Sequence, residues 1–240
     1  AYLDVTTNKI NSTSAIKVAK LIQRDIWREL QLTCSAGVSY NKFLAKLASD
    51  FQKPKGLTVV TPEDALDFLL PLPIEKFHGV GKKIVPKMHE FGIYTGQDLY
   101  EKSEMALIRQ FGKRGYSLYR KVRGIHNAPV ETTRERKSIG KEHTYASPLV
   151  TEEDVLRQLR QLAEEVAGAL KRHQKHGKTV VLKVRYDDFM TITRRATLPD
   201  YLHTKEAIFS QSSTIWEEVL GIEKGIRLLG ITLTNLDPIT

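Results

Sequence analysis

A glycine-rich turn at residues 77–83 constrains the fold of this chain more than any other feature. The segment reads Phe-His-Gly-Val-Gly-Lys-Lys, apolar residues at helical spacing flank it, and Gly92 stands where a second helix can end. This order predicts a helix-hairpin-helix motif. Gly79 and Gly81 permit positive φ, so backbone N–H groups at the start of the second helix can approach a phosphate. A Gly-x-Gly between helices is more often only a tight connection.

The charge of the chain is concentrated around this turn. Residues 76–141 contain 15 Lys and Arg and 6 Asp and Glu, whereas the rest of the chain contains 22 of each. The formal net charge of +9 therefore belongs to this region. Such a region between neutral flanks favours a surface that binds a polyanion. A solvated positive face is the alternative for any short piece of it.

Length and composition exclude several classes of protein. The 240 residues suit roughly two domains. Cys34 is the only cysteine of the sequence, which excludes an intrachain disulfide and a cysteine-based zinc site. No apolar run approaches the roughly 18 residues that span a bilayer, and the first residues show no signal-peptide pattern. We therefore expect no membrane association and a reducing, cytoplasmic location.

The first sixty residues predict a β-α-β-α-β order. Residues 1–6 suit a strand, and Ser14 precedes a helix that ends near Leu30. A strand at 32–38, a helix at 40–51 and a strand at 57–60 follow in the prediction. The chain starts without Met at a residue typical of the middle of a strand, so we expect a piece of a longer protein.

A short basic loop, Lys53-Pro54-Lys55-Gly56, follows the second predicted helix. Pro54 ends the helix and Gly56 permits an unusual backbone turn, so both lysines project just before a strand. Two ammonium groups at this position could bind a triphosphate. An ordinary basic turn is the alternative.

Strand signals stop at Thr61. This residue and Pro62 are typical of a helix start, with Thr61 as the N-cap. Short helices are predicted at 66–70, on both sides of the glycine-rich turn, and at 96–100, 105–111 and 113–123. Pro86 lies inside the second hairpin helix of this prediction and is expected to kink it. Residues 126–135 lack periodicity and predict a linker.

The remaining residues predict a β-α-β-β-α-β order, with both helices on one face of an antiparallel sheet. The predicted strands are 136–144, 180–186, 190–198 and 226–236. Lys183 and Arg185 alternate with apolar residues, Arg195 has the same parity on the next strand, and Arg194 has the opposite parity. The uncovered face is thus rich in Lys, Arg and Thr and suits a nucleic-acid backbone. A plain solvent face is equally consistent with the pattern.

In this order the motifs resemble the Y-family translesion DNA polymerases, in particular their bacterial DinB (DNA polymerase IV) branch. The matching stretches are 1–6, 35–50, 53–56, 77–83, 136–140 and 227–231. The resemblance implies an α+β, multi-domain fold. The implied domains are the C-terminal part of the palm at 1–62, an all-helical thumb at 63–128, a linker at 129–135 and a little-finger DNA-binding domain at 136–240.

The resemblance also implies roles for individual residues. Lys53 matches a lysine that contacts the phosphates of the incoming nucleotide, and Lys46 matches a lysine that faces the active site. With the sheet cations, the expected DNA-binding residues are Gly79, Val80, Gly81, Lys82, Arg136, Lys137, Ser138, Gly140, Lys183, Arg185, Arg194 and Arg195.

The activity implied by the resemblance is template-directed, error-prone DNA synthesis across damaged DNA. Its chemistry is two-metal nucleotidyl transfer with Mg²⁺, for which metal-binding carboxylates are indispensable. The family places an Asp-Glu pair immediately before the position of Ala1, and Asp4 is a separate residue of the pattern. We therefore expect no catalytic residue and no metal ligand in this sequence, and a chain that binds DNA without catalysing alone.

Primer–template DNA and a deoxynucleoside triphosphate are the partners implied by the resemblance. A sliding clamp is expected for the longer protein, although no clamp-binding peptide is visible after Pro238. The expected location is the bacterial cytoplasm, in association with the nucleoid. A non-catalytic DNA-binding module, built on the helix-hairpin-helix and the split sheet, remains the alternative function.

Overall fold

The computed structural model describes residues 1–239, which divide into two compact units. Unit 1 comprises residues 1–132, and unit 2 begins at Thr133. Within residues 1–239 no helix combines the length and the apolar character that crossing a membrane requires.

Unit 1 opens with two helices and a two-stranded parallel sheet. In chain order the elements are α1 (Ala15–Leu30), β1 (Ala36–Ser39), α2 (Lys42–Phe51) and β2 (Leu57–Val60). The side chain of Ser14 accepts the N–H of Lys17 and that of Asn41 accepts the N–H of Leu44, so each helix starts at a hydrogen-bonded N-cap.

Two strand predictions in this region are wrong. Residues 1–6 form no strand, because no described segment offers them a hydrogen-bonded neighbour, and a strand is stable only when it is paired. The strand predicted at 32–38 begins only at Ala36. The carbonyl of Cys34 instead accepts the side-chain amide of Gln23 at 2.9 Å. The order of the described elements is thus α-β-α-β.

Short helices make up the rest of unit 1. They are α3 (Ala65–Leu69), α4 (Val85–Glu90), α5 (Gly96–Glu101), α6 (Glu104–Phe111) and α7 (Lys113–Lys121), with a 3-10 turn at Ile74–Lys76. The helix start predicted at Thr61 lies instead at Ala65, because Thr61 Oγ1 accepts the N–H of Asp64 in a turn that precedes α3. Pro86 lies in the first turn of α4, where its missing N–H removes no helical bond, so the expected kink is absent.

A single apolar core joins α2 to the short helices. Phe43, Phe77 and Leu118 are at most 2% exposed and belong to this core. The ring centroids of Phe43 and Phe77 lie 6.0 Å apart, which anchors the start of the glycine-rich turn on α2. The predicted boundary between residues 62 and 63 stays a prediction.

Unit 2 confirms the predicted β-α-β-β-α-β order. Its elements are β3 (Ser138–Leu149), α8 (Glu152–Arg172), β4 (Lys175–Tyr186), β5 (Thr191–Leu202), α9 (Lys205–Glu217) and β6 (Ile226–Pro238). The antiparallel sheet has the strand order β3-β6-β4-β5. Strand β3 starts at Ser138, so Arg136 and Lys137, which were predicted within it, lie before it.

The core of unit 2 lies between the two helices and one face of this sheet. The buried helix residues that meet the sheet are Val155, Leu159, Leu162, Val166, Leu170, Ile208, Ile215 and Trp216. They pack with Val180, Leu182 and Val184 of β4. The opposite sheet face, here called the free face, therefore carries the residues of the other parity.

Candidate nucleic-acid interface

The hairpin turn, residues 77–83, exposes backbone donors. Gly79 has φ +100°, a conformation that favours glycine, whereas Gly81 is outside the positive-φ region, contrary to the sequence prediction. The N–H groups of Gly79, Gly81 and Lys82 find no hydrogen-bond acceptor among residues 1–239. The N–H of Val80 differs, since it donates to the carbonyl of Phe77 at 2.9 Å and the side chain is buried. Three of the four predicted hairpin residues thus keep a donor for a phosphate.

The two lysines predicted to face the nucleotide converge on one carboxylate. Lys53 Nζ lies 2.5 Å from Asp50 Oδ1, and Lys46 forms an ion pair with Asp50 Oδ2. Hydrogen bonds from Lys46 and then from Lys53 hold the pKa of Asp50 below its usual value. Helix α2 places Lys46 one turn before Asp50 on the same face, and the following loop brings Lys53 back to it. Sequence reasoning missed Asp50, although the i,i+4 spacing was visible.

The loop lysines do not act as a pair. Lys55 has φ +62° and its Nζ lies 4.7 Å from the ring centroid of Trp27 on α1. Lys53 points instead to Asp50. The pair of ammonium groups available to an anion is therefore Lys46 with Lys53, and Lys55 provides a natural control.

The strand register gathers three of the predicted cations of unit 2, Lys183, Arg185 and Arg195, on the free face. Val181 pairs with Arg195, Lys183 with Thr193, and Arg185 with Thr191. Arg185 Nε donates to Thr191 Oγ1 at 2.8 Å, which confirms that neighbouring side chains share this face. Arg194 pairs with the buried Leu182 and so has the parity of the helix-covered face.

The first strand contributes small polar residues to the same face. Gly140 pairs with Thr232 of β6, Thr232 pairs with Val181 of β4, and Val181 pairs with Arg195 of β5. Gly140 and Arg195 therefore lie in the same row of paired residues across the sheet. A β-carbon at Gly140 would lie 2.2 Å from Thr232 Oγ1, so only glycine fits there. Ser138 pairs with Thr234 one row away. Arg136 and Lys137 are exposed and precede the strand.

An acidic residue also lies on the free face. Glu142 pairs with Gly230, which pairs with Lys183, and Glu142 Oε2 lies 2.7 Å from Lys183 Nζ. The contact crosses an intervening strand, which is why the sequence alone did not reveal it. The carboxylate offsets one of the positive charges that the face presents to an anion.

Replacing Glu142 with glutamine is expected to strengthen binding of duplex DNA by roughly two- to fivefold at low salt, because it frees Lys183 from an exposed ion pair. Fluorescence anisotropy with a labelled duplex measures the change. Glu153→Gln is the matched control, since Glu153 is exposed on α8, on the other side of the sheet. An equal gain in both variants would indicate a general charge effect and contradict the assignment.

The described residues offer no site for a catalytic metal. No group of three His, Cys, Asp or Glu side chains that could hold an ion occurs within residues 1–239. Asp4 is exposed, its Oδ1 accepts the N–H of Thr6 at 3.0 Å, and hydrogen bonds from Thr6 lower its pKa. The side chains present therefore do not fit the two Mg²⁺ ions that the resemblance implies.

Three family profiles match the chain. The profile described as impB/mucB/samB family matches residues 1–50, that of the IMS family HHH motif matches residues 62–93, and that of the impB/mucB/samB family C-terminal domain matches residues 136–240. The matches follow the chain in the order expected from the sequence motifs.

Curated relatives and solved structures give the same result. The chain is 60% identical over 235 residues to a DNA polymerase IV of Streptococcus suis (strain 98HAH33), covering 98% of this chain and 66% of the relative. It is also 60% identical over 237 residues to a DNA polymerase IV of Streptococcus pyogenes serotype M28 (strain MGAS6180), covering 99% and 65%. The chain thus spans about 65% of the length of these relatives.

A solved structure titled Y-family DNA polymerase chimera Dbh-Dpo4(243-245)-Dbh matches with a TM-score of 0.80 at 26% identity. The match covers 97% of this chain and 67% of that one.

Proposed function

This chain belongs to the Y-family DNA polymerases of the bacterial DNA polymerase IV type, and on that premise we propose that it forms part of an enzyme that copies damaged template DNA. Residues 1–62 are proposed to belong to the palm, 63–128 to the thumb and 136–240 to the little finger, with a linker at 129–135. In this proposal the chain binds and orients DNA and nucleotide.

The convergence of Lys46 and Lys53 on Asp50 is the observation that supports polymerase function over simple DNA binding. Two ammonium groups that share one carboxylate can equally share the oxygens of a triphosphate, because the carboxylate occupies the position of an anionic ligand. Because these ion pairs are exposed, replacing the Asp50 carboxylate with triphosphate oxygens costs little free energy. We assign the triphosphate of the incoming deoxynucleotide to this site.

DNA is assigned to the hairpin turn of unit 1 and to the free face of unit 2. Free N–H groups in the turn suit phosphate oxygens, and Lys183, Arg185 and Arg195 supply positive charge along the sheet. Such contacts carry no base information, which suits an enzyme that must accept any template sequence.

The metal ions belong to the longer protein in this proposal. Two Mg²⁺ ions supply activation of the primer hydroxyl and neutralisation of the triphosphate, and we assign their ligands to carboxylates outside residues 1–240. A sliding clamp is a further proposed partner, and the proposed cellular location is the bacterial nucleoid.

The nucleotide site is tested by Lys53→Ala in the longer polymerase. Loss of one charge-assisted contact is expected to lower kcat/KM for nucleotide by roughly thirtyfold, which corresponds to about 2 kcal/mol. The dissociation constant for primer–template DNA should stay within about twofold, since the DNA contacts lie elsewhere. Lys55→Ala is the control and should resemble the wild type.

Primer extension assays on the 240-residue chain and on the longer protein complete the test. The 240-residue chain alone should bind primer–template DNA and extend no primer. Primer extension by that chain would contradict the assignment of the metal ligands. Equal losses of nucleotide use and DNA binding in Lys53→Ala, or no loss of either, would contradict the assignment of the triphosphate to Lys53. Absence of primer extension by the longer protein would favour the non-catalytic DNA-binding module.

A further inference from the structure

Lys121, at the end of α7, is a partly buried cation without an anionic partner. Its ammonium group makes no hydrogen bond and no ion pair with any of residues 1–239. Its contact is with the ring of Phe43, whose centroid lies 5.4 Å from Nζ. A cation–π contact offsets only part of the cost of removing an ammonium group from water.

The ammonium group of Lys121 borders the hairpin turn. A β-carbon built on Gly79 would lie 3.4 Å from Lys121 Nζ, which places this cation directly against the turn. The free N–H groups of the turn and the ammonium group are therefore available to one anion. Replacing Gly79 with a larger residue would crowd this approach.

A groove next to Lys121 is lined by further polar side chains. It has a volume of about 230 Å³ and is lined by Tyr116, Ser117, Arg120, Lys121, Ile125, His126 and Asn127. The Nδ1 atom of His126 is buried and has no hydrogen-bond partner among the described residues. Arg120 contacts the hydroxyl of Tyr116 at 3.1 Å and leaves its other donors for a ligand.

The groups that face Lys121 are mostly cations. Partial burial lowers the pKa of both His126 and His78, and the charge of Lys121 is the next largest cause at each. Lys42 further lowers the pKa of His126, and Lys46 further lowers that of His78. Asp50 opposes the effect at His78. Burial also lowers the pKa of the Lys121 amine itself. Such a site is short of negative charge, and an anion bound there would restore the balance.

The backbone around the groove is held in place. Tyr40 Oη and Asn41 Nδ2 both donate to the carbonyl of Gly124 at 2.9 Å, which fixes the segment after α7 on the start of α2. Lys121 and His126 flank this anchor and both lie near the ring of Phe43, 6.4 Å from the His126 ring centroid. A rigid arrangement of donors is the condition for specific binding.

We propose that Lys121, His126 and Arg120 form, with the hairpin turn, a phosphate subsite for the backbone of bound DNA. The inference rests on the proposed DNA binding of the chain and adds to it a contact that neither the sequence motifs nor the family matches assign. Lys121 lines the groove and also lies against the hairpin turn, so the ligand is a phosphodiester of the strand held by the turn. The triphosphate is already accommodated by Lys46 and Lys53.

The test compares three variants of the 240-residue chain. Lys121→Gln removes the charge, Lys121→Arg retains it, and Lys113→Gln removes an exposed charge about two turns earlier on the same helix. Anisotropy titrations of a labelled primer–template duplex are made at several KCl concentrations. Lys121→Gln should bind roughly tenfold more weakly, with a salt slope reduced by about 1. Lys121→Arg and Lys113→Gln should stay within about twofold of the wild type.

Thermal unfolding distinguishes this role from a packing role. Since Lys121 lacks an anionic partner, Lys121→Gln should leave the Tm unchanged or raise it. A fall of several degrees together with weaker binding would overturn the subsite, as would equal losses in Lys113→Gln. Weaker binding of dTTP with unchanged DNA affinity would also overturn it, because the phosphate would then be that of the nucleotide.

Failure of the inference can be separated from failure of the proposed function. Unchanged DNA affinity in Lys121→Gln, with normal binding by the wild-type chain, would overturn the subsite alone. Absence of DNA binding by the wild-type chain would overturn the proposed DNA binding and the subsite with it.

Discussion

Simultaneous replacement of Arg185 and Arg195 with glutamate is expected to weaken binding of the 240-residue chain to duplex DNA by about a hundredfold at low salt. Both residues lie on the free face of unit 2, one on β4 and one on β5. Each reversal removes an attraction to phosphate and adds a repulsion. The slope of log K against log salt should fall in magnitude by about 2, because two phosphate contacts are lost.

Arg194→Glu is the matched control for the β5 reversal. It changes the same charge on the same strand, one residue away from Arg195, but on the opposite side of the strand. Its effect is expected to be about tenfold smaller than that of the double reversal, because a side chain of this parity does not contact a phosphate on the free face. Equal effects of Arg194→Glu and Arg195→Glu would show that net charge, and not the free face, governs binding.

Sequence dependence provides a second check. Phosphate contacts do not distinguish bases, so the double reversal should weaken binding to unrelated duplexes by the same factor. A loss confined to one DNA sequence would indicate base contacts and contradict the proposed role of the sheet.

Replacement of Gly115 with alanine is expected to destabilise unit 1 by about 3 kcal/mol. Gly115 lies in the first turn of α7, and a β-carbon there would lie 2.0 Å from the carbonyl oxygen of Leu107 on α6. The obstacle is backbone, so the two helices must separate, which would disturb the packing of the buried Leu107 and Leu118 in the core of unit 1. Urea unfolding followed by circular dichroism measures the change in free energy.

Gly168→Ala is the control, because it makes the same substitution inside another helix with the opposite expected sign. Gly168 lies within α8, where the nearest atom to an added β-carbon is Arg172 Nη1 at 3.6 Å. Alanine there should stabilise unit 2 by about 0.5–1 kcal/mol through its higher helix propensity. Hydrogen exchange of peptides from each unit shows which unit changes. A neutral Gly115→Ala would contradict the close approach of α6 and α7.

The helices were predictable where local signals determine them. Ser14 and Asn41 cap α1 and α2, and the apolar spacing from Val155 to Leu170 identifies the buried side of α8. The strand at residues 1–6 was wrong because a strand depends on a partner elsewhere in the chain. Strand β3 starts two residues late for the same reason, since its first paired residue, Ser138, depends on Thr234.

The candidate sites also divide into residues that local sequence identifies and residues that depend on distant partners. Parity along β4 and β5 identified Lys183, Arg185 and Arg195 without any knowledge of the fold. The pairing of Glu142 with Lys183 depends on two strand registers and was not accessible from the sequence. From the sequence, Lys121 is only one of the 15 Lys and Arg of residues 76–141, because its proximity to the hairpin turn arises from packing between distant segments.

The shared carboxylate of Asp50 has a consequence for how a nucleotide would enter the proposed site. Lys46 and Lys53 are already paired with an internal carboxylate, so binding is an exchange of one anion for another. The gain is then the difference between the two partners, and not the full attraction of the lysines. A triphosphate gains much binding free energy from that exchange and a monophosphate gains little. Asp50 would therefore disfavour the binding of weakly charged competitors.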